Sequence, residues 1–220
     1  MSIMSGSSRR TFTPALLALT LLLSAGVRGH GTEQTADHRD GQPLATPTGA
    51  DGPSQPGKYT RTVVDYRIPD LALVAADGSA TSMRAELDAG KPVMLNFIFT
   101  SCTATCPVIS ATFAQLRDQL EQAGHGLRMI SISIDPEHDT PERLSSYARR
   151  YHAGPEWRFL TGDIHNTLLL QKAFDAYRGG KMSHLPVTFL RGPRGTSWIR
   201  LEGYASAADL LREYRSLTAQ

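Results

Sequence analysis

The fold is decided by Val93-Met94-Leu95-Asn96-Phe97-Ile98-Phe99, followed at once by Thr100-Ser101-Cys102-Thr103-Ala104-Thr105-Cys106-Pro107. A near-continuous apolar run rich in β-formers is the pattern of a strand buried on both faces. The next segment reads as a helix over 104–122. Pro107 is tolerated only in its first turn, where the missing N–H has no intrahelical partner. Gly124 and Gly126 stop it. Both cysteines therefore sit where a buried strand gives way to a helix.

Outward from that point, strands and helices alternate. Residues 128–134 (RMISISI) form a strictly alternating strand, stopped by Asp135-Pro136. Thr140 caps and Pro141 opens a helix to about residue 152. A short strand at 157–160 precedes a helix over 164–176, with Asp163 as its cap. Strands at 187–190 and 197–201 make a hairpin across Gly192-Pro193-Arg194-Gly195. A final helix covers 206–217. The order β-α-β-α-β-α-β-β-α implies parallel strands joined by helical crossovers, closed by an antiparallel hairpin. The expected class is α/β, with a mixed central sheet flanked by helices and a thioredoxin-like core over 61–218.

The rest of the chain is leader and tether. Arg9 and Arg10 precede an apolar run over 12–23, then the small residues Ser24, Ala25, Gly26 and Gly29. Residues 1–29 therefore read as a secretory signal, or an anchor if uncleaved. Ser8-Arg9-Arg10-Thr11-Phe12 also fits a twin-arginine export signal, with the general secretory route as the alternative. Residues 30–60 hold Pro43, Pro47, Pro53 and Pro56 and no Ile, Val or Phe, which is the composition of a disordered linker. The expected location is periplasmic or otherwise extracytoplasmic, membrane-tethered if the signal stays on.

Composition narrows the function. The chain has 220 residues and a formal net charge of +2, from 23 basic and 21 acidic residues. That balance carries no electrostatic footprint for nucleic acid. No apolar run reaches the roughly 18 residues of a spanning helix. Two cysteines exclude a disulfide framework and a four-cysteine zinc site. A cross-link between Cys102 and Cys106 would close almost no loop and so would add little as a structural staple. Their spacing puts both sulfurs on one side, close enough to share a metal or form a disulfide. The helix start favours thiolate, both nucleophile and metal ligand. The end of a strand in an open α/β sheet leaves the sulfurs within reach of a partner.

Three stretches together resemble the SCO/SenC family of exported copper proteins. They are Leu95 to Cys102 with Cys106-Pro107, the run Ser131-Ile132-Ser133-Ile134-Asp135-Pro136-Glu137-His138-Asp139-Thr140-Pro141-Glu142, and Trp157-Arg158-Phe159-Leu160-Thr161-Gly162-Asp163. The resemblance covers essentially the whole folded part. It implies one copper ion, Cu(I) or Cu(II), held by Cys102, Cys106 and the distant His184. Thiolates select Cu(I), and imidazole suits copper in either state. It places Asp135 beside the site, where it would orient the ligands. It implies delivery of copper to the binuclear copper centre of a haem–copper cytochrome oxidase subunit. The alternatives are a thiol–disulfide oxidoreductase working through a redox-active Cys102–Cys106 pair on periplasmic thiol proteins, and a copper or redox sensor. His125, His138, His152 and His165 read as solvated or capping residues.

Two departures from the family stand out. Met182-Ser183-His184 replaces an acidic residue directly before the histidine. On an extended segment Met182 would point the same way as His184 and could face the metal from beside its ligands, with a core or rim methionine as the alternative. The segment ahead of the histidine, 177–183, is short, with Gly179-Gly180 as its hinge. Pro186 stands where thioredoxin-like redox proteins carry a cis-proline, and a cis bond there would favour the exchange reading.

Overall fold

The computed structural model describes residues 59–219. The predicted signal (1–29) and nearly all of the predicted linker lie outside the described residues.

Eight strands form one mixed sheet. They are β1 (Tyr59–Asp65), β2 (Ala72–Ala75), β3 (Ala80–Ser82), β4 (Val93–Ile98), β5 (Arg128–Ser133), β6 (Trp157–Thr161), β7 (Val187–Arg191) and β8 (Ser197–Gly203). The helices are α1 (Met83–Leu87), α2 (Thr105–Gln122), α3 (Pro141–Arg150), α4 (Ile164–Ala173) and α5 (Ala207–Thr218). The spatial order is β1-β8-β7-β4-β5-β6-β2-β3. β4, β5 and β6 are parallel, β7 runs antiparallel to β4, and β8 antiparallel to β7. From β4 onward this is the predicted order, and the core is thioredoxin-like. Ahead of it stand three strands and a short helix that the sequence pattern does not predict. β1 starts at Tyr59, two residues before the expected start of the domain.

Every residue of β4 is buried, because helices cover both faces of the sheet. Met94 and Ile98 face the core built with α2, α3 and α5. Val93, Leu95 and Phe97 face the core built with α1 and α4. β5 alternates as its sequence does, yet its serines are buried rather than solvated. Ser131 Oγ donates to Asn96 Oδ1 at 2.7 Å and accepts from Trp157 Nε1 at 2.9 Å. Ser133 Oγ donates to Asp139 Oδ2 at 2.6 Å. A buried hydroxyl is tolerated when it is hydrogen-bonded.

The helix starts follow their caps. Thr140, Asp163 and Ser206 each accept a backbone N–H of the first turn. α4 ends three residues earlier than its pattern suggests, with Phe174 as its C-cap and Asp175 at φ 48.

Topology decides where the chemistry meets. β4 and β5 end, and the antiparallel β7 begins, at one edge of the sheet. The loop after β4 carries Cys102 and the first turn of α2 carries Cys106, the loop after β5 carries Asp135, and the segment before β7 carries His184.

Candidate metal and thiol site

The cysteine loop is built from its backbone outward. Cys102 N–H donates to the carbonyl of Phe99 at 3.1 Å, which folds residues 99–102 into a turn. α2 then starts at Thr105 behind Ala104, whose methyl cannot cap it. The sulfur of Cys102 takes that part, accepting the N–H of Cys106 at 3.4 Å. One sulfur thus satisfies an orphan donor of the helix start. Thr105 Oγ1 sits 3.6 Å from Cys102 Sγ and 4.0 Å from Cys106 Sγ. Both cysteines are free thiols.

The two differ sharply in acidity. Burial opposes ionisation of Cys102, but the N–H of Cys106, the hydroxyl of Thr105, the thiol of Cys106 and the N–H of Ala104 outweigh it. The result is a pKa lowered from 9.0 to about 7. Cys106 is 1% exposed, and burial pushes its thiol up to about 12. The neighbouring Cys102 adds to that rise, and the backbone of Phe99 only partly opposes it. Cys102 is the accessible thiolate and Cys106 the protected thiol, a distinction the sequence does not reveal.

A residue without an assigned role in the sequence fixes this loop. Asp139 is fully buried and accepts from Thr100 N–H at 3.2 and 3.1 Å, from Thr100 Oγ1 at 2.5 Å and from Ser133 Oγ at 2.6 Å. It ties the residue two before Cys102 to the end of β5. Its only sequence signal is its place in the Asp135 to Glu142 run.

His184 lies on the other arm of the site. It is partly buried, and its Nε2 is 3.0 Å from the carbonyl oxygen of Phe97. A carbonyl only accepts, so Nε2 carries the proton and Nδ1 keeps the lone pair. Burial lowers the pKa of the imidazole, the Phe97 carbonyl partly restores it, and the charge of Arg178 lowers it again. The ring is therefore held toward its neutral, ligating form. Among the described residues no three His, Cys, Asp or Glu side chains are gathered closely enough to hold a metal ion. The two thiols are together, and the imidazole stands apart from them at the same sheet edge.

Asp135 is buried at that edge. Its carboxylate accepts from Lys181 Nζ at 2.6 Å and lies 3.2 Å from His138 Nδ1. Of the two readings of Met182, the structure fits the rim methionine and not the metal-facing one. Residues Lys181–Ser183 form a 3₁₀ turn rather than an extended segment, and Met182 is 85% exposed. Side chains two apart no longer share a direction in such a turn. The Leu185–Pro186 peptide is trans.

Comparisons with known proteins bear on the family and the fold. The family model described as SCO1/SenC matches residues 68–219. A "SCO1 protein homolog" of Bacillus subtilis is 32% identical over 107 residues, covering 48% of this chain and 54% of the relative. The chain thus matches about half the length of that relative. Among solved structures, BsSco is described as a member of the Sco family of cytochrome c oxidase assembly proteins with a disulfide switch. It aligns with a TM-score of 0.60 at 24% identity, over 72% of this chain and 96% of its own. Arabidopsis thaliana ScoI with copper bound aligns with a TM-score of 0.59 at 22% identity, over 69% and 98%. At these identities the structural likeness speaks for the fold, and the family model speaks for descent. This chain belongs to the SCO1/SenC family.

Proposed function

We propose that this chain is an exported copper carrier that holds one copper ion through Cys102, Cys106 and His184. The observation that carries the reading is the donor set at one sheet edge. A thiol ionised near pH 7, a second thiol held beside it by Thr105 and a neutral imidazole suit Cu(I). Three donors leave the metal one ligand short of a closed tetrahedral site, which suits release to an acceptor. His184 has to move toward the sulfurs to complete the set, and Gly179 at φ +86 with Gly180 supplies a joint for that movement.

The named relatives support the cargo and its destination. ScoI of Arabidopsis has been solved with copper bound, and BsSco belongs to a group named for cytochrome c oxidase assembly. The acceptor we propose is the oxidase subunit that carries the binuclear copper centre. Export by residues 1–29 and a linker over 30–60, its last two residues taken into β1, complete the reading, in which the domain works outside the cytoplasm.

The test is an anaerobic Cu(I) titration of the full reduced chain. One copper per chain is expected, lost in Cys102→Ser and absent after oxidation to the Cys102–Cys106 disulfide. Copper retained unchanged by the oxidised chain would overturn it.

One observation favours a second reading. The unequal acidities suit a thiol–disulfide oxidoreductase, with the Cys102 thiolate attacking a disulfide of a client protein. The attack forms a mixed disulfide and releases one client thiolate. Cys106 then gives up its proton, attacks Cys102 and releases the second. In that case His184→Ala would leave the exchange rate nearly intact, whereas a carrier loses copper.

A further inference from the structure

The sequence leaves Lys181 unassigned, and the structure gives it three attachments. Its ammonium lies 2.6 Å from Asp135 Oδ2, joining residues 46 positions apart. It also stands 6.0 Å over the ring of Phe99, the residue whose carbonyl folds the cysteine turn. Its own carbonyl accepts the N–H of His184 at 3.2 Å, closing the 3₁₀ turn that ends at the histidine.

Asp135 makes this more than a surface pair. Its side chain is 8% exposed, and its other side-chain partner is the ring of His138, itself 59% exposed. A buried carboxylate needs a strong partner, so Lys181 is drawn to that spot. Beyond that pair, the segment is held by the turn's own backbone bonds and by the His184 Nε2 bond to the Phe97 carbonyl. Gly179 and Gly180 precede the turn, and Met182 and Leu185 within and after it are exposed.

We propose that Lys181 is a positioning residue for His184. Anchored on Asp135, it keeps the histidine turn docked on the strand ends that carry the thiols. The imidazole then closes on the metal from a docked turn instead of from a free loop. Copper is retained longer because less conformational freedom is lost when His184 engages. This rests on the copper reading above and extends it to a residue that never touches the metal.

The experiment measures Cu(I) affinity on the full reduced chain by anaerobic competition with a chromophoric chelator. Lys181→Met keeps the stem and removes the charge, and should weaken binding about tenfold, the usual scale for losing a residue that orients a ligand. Asp135→Asn removes the same pair from the other side and should give a similar loss. Lys181→Arg, which keeps the ion pair, should restore most of the affinity. The deciding arm is a double substitution. In a His184→Ala background, Lys181→Met should weaken copper no further, since the group it positions is gone. The reduction potential of the cysteine pair should be unchanged in Lys181→Met.

An affinity in Lys181→Met within about twofold of the parent overturns the proposal, given the tenfold scale expected. So does a loss that persists in full when His184 is already alanine, since that is a general structural effect. If the parent chain binds no copper, or His184→Ala binds as tightly as the parent, the copper reading itself fails and takes the proposal with it. The two failures are therefore distinct.

Discussion

The two arms of the site are held in opposite ways. The cysteine arm is fixed several times over. Asp139 accepts three donors from Thr100 and Ser133, Cys102 caps α2 with its own sulfur, and Cys106 is buried in the α2 core. The histidine arm hangs on an imidazole–carbonyl hydrogen bond, one turn of 3₁₀ helix and the Lys181–Asp135 pair, behind two glycines. The proposed copper carrier would make use of that difference. Rigid thiols set which ion is accepted, and a lightly held third ligand lets the ion leave.

The contrast can be broken by substitution. The largest effect should come from the rigid arm, where Cys102→Ser or Cys106→Ser abolishes stoichiometric Cu(I) binding in an anaerobic titration. Next is Asp139→Ala, which strands the Thr100 and Ser133 donors in a buried setting. Denaturant unfolding should show a loss of about 3 kcal/mol, since each unsatisfied buried donor costs roughly 1–3 kcal/mol. On the other arm, His184→Ala should lower stability by only about 1 kcal/mol, the net worth of one hydrogen bond. It should nevertheless weaken copper at least about tenfold by chelator competition. Equal losses of stability from Asp139→Ala and His184→Ala would erase the contrast.

A smaller effect sharpens it through pH. Between about pH 7 and 9 Cys102 is ionised in the folded chain and still protonated in the unfolded one. The unfolded state then binds more protons, so this contribution to stability grows as pH rises and is lost as pH falls through 7. Cys106 acts in reverse. Above about pH 9 the unfolded thiol ionises while the folded one holds its proton toward pH 12, and stability declines. Apo-protein melts should therefore favour mildly alkaline pH over both extremes. Alkylation should modify Cys102 with a midpoint near pH 7 and spare Cys106. Equal rates at the two cysteines would contradict the assigned asymmetry.

Much of this is legible in the chain. The unbroken apolar run of β4 announces a strand covered on both faces, and Pro107 marks the first turn of α2. Thr140-Pro141 and Asp163 mark the starts of α3 and α4. The cysteine pair stands out by its place between strand and helix, whereas His184 is a candidate that rests on the family pattern alone. Other features have no signature along the sequence. The Thr100–Asp139 and Asp135–Lys181 contacts span 39 and 46 positions, and only folding brings them together. The buried serines of β5 look like a solvent face because their partners come from other strands and loops. β2, β3 and α1 have four, three and five residues, too few to establish a period. β1 is longer but largely exposed, and is held by backbone pairing to β8 rather than by an apolar face. Whether Met182 faced a metal or the rim was open in the sequence because a 3₁₀ turn and an extended segment of three residues look alike there, and the turn leaves it at the rim.

The central claim is that copper draws its ligands from both arms at once. X-ray absorption at the copper edge, on the full reduced chain loaded with one Cu(I), measures that directly. Two sulfur donors and one imidazole are expected, with the imidazole signal gone in His184→Ala and both sulfurs retained. A spectrum that is identical in the parent and in His184→Ala would contradict the claim.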